Sequence, residues 1–315
     1  MESNHFDLII IGGGPAGLSA GIYASRAKLS TLILNEGTTG GQLVLTHEIA
    51  NYPGVEPVSG FVLGNIMARQ AKSFGCRIRS NVRISNMSLQ KDIKEVEING
   101  NERFTADTVI LSPGGKSRTL GVPGENDFKG KGISYCATCD GDFFQDKDII
   151  VVGGGNSALE EAVSLTKYAN SVTIVHQFDH FQAFPHAVTE AEKNVKIHFI
   201  MESEVTEFIG DDRLRKVRIK NRNTGITQEK DIDGVFIFIG YKPNTEFLKG
   251  KIDLNQWEEI LVTDELQTSV TGVFAAGDSI NKKIRQVTTA VADGTIAALS
   301  ATDYIHKKKR DLMVV

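Results

Sequence analysis

The chain has 315 residues, of which 41% are hydrophobic and 23% charged, and its formal net charge is -4. This length suggests about two domains, and the slightly acidic balance gives no reason to expect a nucleic acid or a membrane surface as partner. No run of about 18 apolar residues could span a bilayer, and the first residues lack the pattern of a signal peptide. With three cysteines, we expect a cytoplasmic protein in a reducing compartment.

The first elements predict a dinucleotide-binding unit. Residues 6–11 are typical of a buried parallel strand and residues 18–26 of a helix. Between them stands a GxGxxG motif whose glycines are Gly12, Gly14 and Gly17. Such glycines allow a tight turn, a close approach of the backbone to a pyrophosphate, and close packing of helix on strand. The helix N-terminus then offers its amide groups to the anion.

A second strand, residues 30–34, precedes Glu36, which lies where a carboxylate accepts the ribose hydroxyls of an adenosine. Two loops follow, at residues 40–43 and 51–54. They suit a polar heterocycle, although ordinary turn chemistry explains them equally well. This half of the chain is completed by a helix at 61–74, strands within 77–98 and a strand at 108–111.

Two cysteines, Cys136 and Cys139, stand two residues apart and are followed at once by Asp140. A CxxC pair can close and reopen a small disulfide, because the arrangement lowers the pKa of at least one thiol. Asp140 could move the proton that this exchange needs. Half of a zinc site is the alternative, but zinc needs about two more soft ligands. Cys76 is the only other cysteine, and we expect it to be a buried filler.

The dinucleotide pattern then repeats. A strand at 148–152, a turn from Gly153 to Ala158 and a helix at 159–168 follow the first unit at a constant offset of 141 residues. The same offset places Gln177 where the first unit has Glu36. No lysine or arginine occurs from residue 168 to 192, although a ribose 2′-phosphate needs an arginine nearby. The three histidines of this stretch are expected on the surface: His176, His180 and His186.

The last third of the chain is expected to complete the first dinucleotide-binding unit. Residues 272–278 form a strand ending in Gly277 and Asp278, and Asp278 is well placed to hold a ribitol hydroxyl. Residues 285–287 open a long helix to residue 305, and the basic run 306–310 complements its dipole. Linkers are expected at 123–126 and 241–244.

Together these motifs resemble the low-molecular-weight thioredoxin reductases over nearly the whole chain. The resemblance implies an α/β fold of two dinucleotide-binding, Rossmann-like domains, the second inserted into the first. The FAD-binding domain would comprise residues 1–115 and 246–315, and the inserted domain residues 116–245. It also implies a homodimer that reduces thioredoxin.

Carried over to this chain, the resemblance implies that Cys136 attacks the partner disulfide, Cys139 faces the flavin, and Asp140 is the acid–base group. It implies no metal. It assigns the FAD contacts to Gly12, Gly14, Pro15, Ala16, Gly17, Glu36, Gly41, Gln42, Leu43, Thr46, Asn51, Gly277, Asp278, Arg285, Gln286 and Val287.

The resemblance fails at one place. Members that use NADPH carry three arginines where this chain has Gln177, Phe178 and Gln182. This departure resembles the ferredoxin-linked flavin thioredoxin reductases, so we expect ferredoxin as electron donor, with NADH next. Three other interpretations stay open: a dithiol oxidase that uses oxygen, an NADPH-dependent reductase with an atypical phosphate site, and a flavin-bearing sensor without turnover.

Overall fold

The computed structural model describes residues 4–46 and 49–313. In that part of the chain, no helix has the length and apolar character needed to cross a membrane. The helices are α1 (Pro15–Arg26), α2 (Gly60–Ser73), α3 (Ala137–Asp140), α4 (Asn156–Leu165), α5 (Pro185–Lys193) and α6 (Val287–Met313). The strands are β1 (His5–Ile11), β2 (Thr31–Asn35), β3 (Arg77–Ser80), β4 (Ile84–Ser88), β5 (Lys94–Ile98), β6 (Glu102–Leu111), β7 (Gly115–Ser117), β8 (Ile133–Ser134), β9 (Asp148–Val152), β10 (Ser171–Val175), β11 (Ile197–Ile200), β12 (Ser203–Gly210), β13 (Leu214–Asn221), β14 (Thr227–Asp231), β15 (Gly234–Ile237), β16 (Tyr241–Pro243) and β17 (Val273–Ala275).

The chain divides into two compact units. One contains residues 1–116 and 242–315, and the other contains residues 117–241. The second unit is therefore inserted in the first. Two short strands, β7 and β16, pair with each other. The predicted α/β fold with Rossmann-like units is confirmed.

The first unit is built on a seven-stranded sheet with the order β3-β2-β1-β6-β5-β4, in which β17 also pairs with β6. Strands β3, β2, β1, β6 and β17 are parallel, whereas β4 and β5 are antiparallel to their neighbours. Strand β1 is almost wholly buried, as its apolar sequence predicts. Because β1 lies between β2 and β6, its carboxyl end is the switch point at which open α/β sheets bind ligands.

Helix α1 begins at Pro15, three residues earlier than the sequence predicted. Proline suits this first position because it has no N–H group to satisfy and its φ is already helical. The turn before it needs glycine. Gly12 has a φ of 107°, and a Cβ on it would lie 2.1 Å from the carbonyl oxygen of Ser112. The glycine turn therefore packs directly on the end of β6.

The second unit repeats this plan. Its main sheet is parallel, with the order β11-β10-β9-β15-β8, and a three-stranded antiparallel sheet, β12-β13-β14, is added to it. Helix α4 begins and ends three residues before its predicted limits. The linker predicted at 123–126 is wrong, because this segment lies inside the second unit and Glu125 is buried.

Helix α6 extends through the basic run that was expected to follow it. Lys308 lies 3.5 Å from a carboxylate oxygen of Asp107, and Lys309 lies 2.7 Å from one of Asp7. These ion pairs join the last turns of α6 to β1 and β6.

Helices α1 and α6 cross at a glycine. Gly294 of α6 is buried, and a Cβ on it would lie 2.0 Å from the carbonyl oxygen of Ala16. We expect Gly294→Ala to lower the free energy of unfolding by about 1–3 kcal/mol through overpacking, although alanine gains about 1 kcal/mol of helix propensity. Thermal unfolding checks this. Gly37→Ala is the control, because a Cβ there meets nothing within 4 Å. Equal stability of the two variants would contradict the close helix crossing.

Candidate functional site

The glycine turn of the first unit is met by the loop that follows β2. The amide of Gly40 donates to the carbonyl oxygen of Gly13 at 2.8 Å, and a Cβ on Gly41 would lie 3.0 Å from the Cα of Gly14. Helix α1 starts at this turn without a side-chain cap and without an acidic residue in its first turn. Its first amide groups therefore still need an acceptor, which a phosphate group could supply.

The segment after β17 reaches the same turn. A Cβ on Gly277 would lie 2.8 Å from the Cβ of Ala16 in the first turn of α1. The neighbouring residue is Asp278. Residues predicted from two distant stretches of sequence are thus brought together at the start of α1.

Asn35, which the sequence analysis did not single out, supports the glycine turn at this candidate site. It is buried at the end of β2, and its Oδ1 accepts a hydrogen bond of 2.8 Å from the amide of Gly13. Its Nδ2 donates to the carbonyl oxygen of Gly37. Glu36 is exposed beside it and accepts from the amide of Ile84 at 3.2 Å. An asparagine at the end of the strand, directly before the predicted acid, was the available signal.

Asp278 carries a buried acceptor without a hydrogen-bond partner. Its Oδ1 is buried and accepts no hydrogen bond from the described residues, although 31% of the side chain is exposed. The ammonium of Lys282 lies 3.5 Å from this oxygen but donates to Asp293 Oδ2 at 2.6 Å. Burial raises the pKa of Asp278, and Lys282 acts against that shift. A ligand hydroxyl that donated to Oδ1 would satisfy it.

Arg285 holds the loop that carries Asp278. Its guanidinium pairs with Glu259 and donates from Nε to the carbonyl oxygen of Asp278 at 3.3 Å. The amide of Gln286 donates to Thr289 Oγ1 at 3.1 Å, just before α6 begins at Val287. The contacts of Arg285 place it as a residue that positions Asp278.

The remaining predicted residues of the first unit differ in exposure. Leu43 is buried, whereas Gln42 and Asn51 are exposed. Thr46 ends the short 3₁₀ turn of Gly41–Leu45, and its carbonyl oxygen accepts from the amide of Gly60 at 3.1 Å.

Cys136 and Cys139 are joined in a disulfide in the second unit. The bond closes over α3, and the amide of Asp140 donates to the carbonyl oxygen of Cys136 at 3.2 Å. Both sulfurs are engaged, and the part of the chain that the structure describes contains no group of three or more possible metal ligands. The third cysteine, Cys76, is buried, and burial raises the pKa of its thiol to about 12.

A buried acid anchors the residue before the disulfide. Glu125 accepts from the amides of Leu120 and Gly121 and from the hydroxyl of Tyr135, at 3.0, 2.7 and 2.7 Å. Burial and the neighbouring carboxylate raise the pKa of Tyr135. The phenol therefore stays protonated at working pH and always donates. This fixes the chain where it enters the redox pair.

His176 is buried, so its predicted place on the surface is wrong. Its ring stacks on Phe181 at 5.7 Å, and a Cβ on Gly154 would lie 2.3 Å from it. It stands at the position that Asn35 occupies in the first unit, 141 residues earlier. Desolvation lowers its pKa, and its Nε2 has no partner among the described residues. The ring is therefore neutral at pH 7 and offers no charge to a phosphate.

A cation that the sequence did not reveal lies at the end of β10. The Arg222 guanidinium donates from one nitrogen to both the carbonyl oxygen and the Oε1 of Gln177, at 3.5 Å each. Its Nε lies 3.7 Å from a carboxylate oxygen of Glu204. Arg222 comes from β13's end, far from Gln177 in the sequence. Its charge is balanced locally by Glu204.

The comparisons with known proteins agree with this geometry. Residues 6–294 match the family model of the pyridine nucleotide-disulphide oxidoreductases. The chain is 44% identical to the 34.2 kDa protein in the rubredoxin operon of Clostridium pasteurianum, over 98% of this chain and 99% of that one. It is also 44% identical to thioredoxin reductase of Peptoclostridium acidaminophilum, over 96% of this chain and 98% of that one. The crystal structure of thioredoxin reductase from Streptococcus pyogenes matches with a TM-score of 0.92 and 39% identity, covering 97% of this chain and 100% of that one.

The chain has two dinucleotide-binding-type units, and one of them carries the Cys136–Cys139 disulfide. This combination is typical of a disulfide oxidoreductase. The chain belongs to the pyridine nucleotide-disulphide oxidoreductase family and is an FAD-dependent enzyme of the thioredoxin reductase type.

The residues of the first unit fit FAD. The uncapped start of α1 suits the pyrophosphate, and Asp278 Oδ1, which accepts no hydrogen bond from the described residues, suits a donor such as a ribitol hydroxyl. The exposed carboxylate of Glu36, at the end of the neighbouring strand, suits the ribose hydroxyls of the adenosine. We propose these three as the groups that hold the cofactor.

We expect Asp278→Ala to weaken FAD binding about 10- to 100-fold. A hydrogen bond to a charged group contributes about 1.5–3 kcal/mol, and about 1.4 kcal/mol corresponds to tenfold in affinity. Titration of the apoprotein with FAD, followed by flavin fluorescence, checks this. Asp264→Ala is the control, because Asp264 is an exposed aspartate of the same unit. Identical dissociation constants for the two variants would rule out Asp278 as a ligand of FAD.

Proposed function

We propose that this enzyme reduces thioredoxin through the Cys136–Cys139 pair and receives its electrons from a donor other than NADPH. Ferredoxin is the donor we favour, and NADH is the next. The observation that carries the proposal is the ribose end of the second unit, where the strand ends in a neutral histidine and a neutral glutamine.

A 2′-phosphate has little to bind there. Gln177 and Gln182 are exposed and uncharged, and Arg222, the cation that contacts Gln177, is balanced by Glu204. A charge-assisted hydrogen bond contributes about 1.5–3 kcal/mol. The absence of two such bonds weakens NADPH by about a hundredfold or more. Gln177 also lacks the carboxylate that a plain ribose prefers, so NADH gains little.

A one-electron protein carrier needs no nucleotide pocket. FAD, when bound, would link one-electron to two-electron transfer, because a flavin can accept two electrons in turn and pass them on as a pair. The protein contributes the dithiol. The Cys136 thiolate attacks the thioredoxin disulfide and forms a mixed disulfide, and Cys139 then attacks the sulfur of Cys136 and releases thioredoxin as a dithiol. Two electrons leave the enzyme, its two sulfurs become a disulfide, and two protons end on thioredoxin.

Arg222 supports a second candidate, an NADPH-dependent reductase with an atypical phosphate site. Its guanidinium reaches the position of the first missing arginine, at Gln177. For this candidate, Arg222 must leave Glu204 to bind the phosphate, which costs the ion pair. The first proposal needs no such exchange.

We also propose a cytoplasmic homodimer, as the resemblance implies. Helix α2 exposes three large apolar side chains, Phe61, Val62 and Ile66, and α6 exposes Ile296 and Leu299. Apolar side chains exposed in groups are typical of surfaces that a partner covers. A second copy of the chain is the partner we propose.

The cysteine roles make a direct prediction. Cys139→Ser should trap a mixed disulfide with thioredoxin through Cys136, and Cys136→Ser should trap none, because only the attacking sulfur enters the intermediate. Non-reducing electrophoresis with mass spectrometry measures the adduct. Cys76→Ser in the Cys139→Ser background is the control and should trap normally, because Cys76 is buried. The reverse trapping pattern would exchange the two roles.

Arginines introduced at the three positions where NADPH-using members carry them should change which electron donor the enzyme uses. We expect the triple variant Gln177→Arg, Phe178→Arg and Gln182→Arg to bind NADPH at least about a hundredfold more tightly than the unaltered enzyme. The rate of anaerobic flavin bleaching against NADPH concentration measures this. Gln228→Arg is the control for an added arginine away from the site, since it places one positive charge at an exposed glutamine of β14.

Two further variants separate the candidates. If Arg222 is an atypical phosphate site, the unaltered enzyme uses NADPH readily and Arg222→Ala loses that activity. If the first proposal holds, Arg222→Ala leaves the slow reaction with NADPH unchanged. Glu204→Gln, which releases Arg222 from its partner, should then improve NADPH binding only modestly.

A further inference from the structure

Ser134 lies two residues before the redox pair and has no role in the chemistry described so far. It is buried, with 5% of its surface exposed. Its Oγ lies 2.6 Å from Asp140 Oδ2, accepts from the amide of Cys136 at 3.1 Å, and lies 3.3 Å from the carbonyl oxygen of Cys136. One hydroxyl thus touches the residue that carries the first sulfur and the carboxylate that follows the second.

The direction of these bonds follows from chemistry. A serine hydroxyl has one hydrogen and two acceptor lone pairs. Charge-assisted O–H···O⁻ bonds are short, at about 2.5–2.7 Å, so the hydrogen goes to Asp140 and not to the more distant carbonyl of Cys136. A lone pair then receives the amide of Cys136. Ser134 therefore donates to the carboxylate and accepts from the backbone at the same time.

Ser134 itself is held firmly. It belongs to β8, which pairs in parallel with β15 in the register Ser134 to Phe236. Tyr135, the next residue, is tied to the buried Glu125 at 2.7 Å. The hydroxyl is thus fixed from both sides, and through it the position of Asp140 Oδ2 is fixed relative to Cys136.

We propose that Ser134 is a positioning residue that holds the Asp140 carboxylate ionised and oriented toward the redox pair. This inference rests on the proposed function, in which Asp140 moves the proton of the exchange. When Cys136 attacks the thioredoxin disulfide, an S–S bond breaks and a thioredoxin thiolate leaves. Asp140 returns to that leaving sulfur the proton that it took from a cysteine thiol of the enzyme, and ends as a carboxylate. The electron pair comes from the enzyme dithiol.

The same kind of contact elsewhere in this unit indicates its effect. Ser171 Oγ donates to Asp148 at 2.7 Å, and this bond is the largest cause that lowers the pKa of Asp148. A hydroxyl that donates to a carboxylate favours its charged form. Asp140 is in the same relation to Ser134. Its protonation should therefore move to higher pH when the hydroxyl is removed.

Other titratable groups lie on the elements around this loop. They are Glu125, Lys129 and Tyr135 before it, Asp142 after it, and Glu161 and Tyr168 on α4 or just beyond its end. All of them remain in the Ser134 variants. A difference between those variants and the unaltered enzyme therefore reports the Ser134–Asp140 bond.

The test compares Ser134→Ala, Ser134→Thr, Asp140→Asn and the double variant Ser134→Ala with Asp140→Asn. Two quantities are measured against pH: thioredoxin reduction, and reduction of the enzyme disulfide by dithiothreitol, read as free thiols, which needs no electron donor for the flavin. Ser171→Ala is the matched control, because it removes a serine–aspartate bond of similar length in the same unit.

We expect Ser134→Ala to move the acid limb of both profiles to higher pH by about one unit, a tenfold change in proton affinity. The pH profiles of Ser134→Thr, which keeps a hydroxyl, should lie closer to those of the unaltered enzyme. The profiles of Ser171→Ala should match those of the unaltered enzyme. In the Asp140→Asn background, Ser134→Ala should add nothing, because the two residues act as one unit.

Three results would overturn the inference. In the first, the pH profile of Ser134→Ala overlies that of the unaltered enzyme while Asp140→Asn is defective. This result rules out a positioning role for Ser134 and leaves the proposed function unaffected. Additive losses in the double variant mean that Ser134 acts only on the fold. If Asp140→Asn itself behaves as the unaltered enzyme, the acid–base role of Asp140 in the proposed function fails together with the inference.

Discussion

The constraint common to both units is that the first backbone N–H groups of a helix have no acceptor within that helix. Helices α1 and α4 both begin at a glycine turn, without a side-chain cap and without an acid in the first turn. The first four N–H groups of a helix have no partner within it, and the helix dipole favours an anion at that end. The chain therefore creates the same place for a phosphate group twice, and the residues at the end of the neighbouring strand decide what else is held there.

The two places differ in those residues. At the first, Asn35 secures the turn through the Gly13 amide, Glu36 stands beside it, and Asp278 brings a buried oxygen that accepts no hydrogen bond from the described residues. At the second, the positions 141 residues later carry His176 and Gln177. Burial lowers the pKa of His176, so that ring stays neutral. The two units therefore share the glycine turn but differ in the charged residues beside it.

Local patterns predicted most of the fold and supplied most of the residues that we propose for the first site. The strand, glycine turn, helix and Glu36 are all close in sequence. Strand β1 formed within one residue of its predicted limits, and α1 begins three residues earlier than predicted. Asp278 could be proposed from the sequence because a strand, a glycine and an acid stand together there. Arg222 could not be found this way, because it reaches Gln177 only through the pairing of β12 with β13. The burial of His176 likewise depends on Gly154 and Phe181, which only the folded sheet brings to it. Ser134 was in view beside the cysteines, but its role depends on a 2.6 Å contact that sequence spacing does not indicate.

The central claim is that electrons reach this enzyme without NADPH. The most direct measurement follows the flavin absorbance of the unaltered enzyme under anaerobic conditions, with NADPH, NADH and reduced ferredoxin supplied side by side at equal electron equivalents. We expect fast and complete bleaching with reduced ferredoxin and slow or absent bleaching with NADPH. Rapid, saturable bleaching by NADPH would contradict the account and would make this chain an NADPH-dependent reductase with an unusual phosphate site.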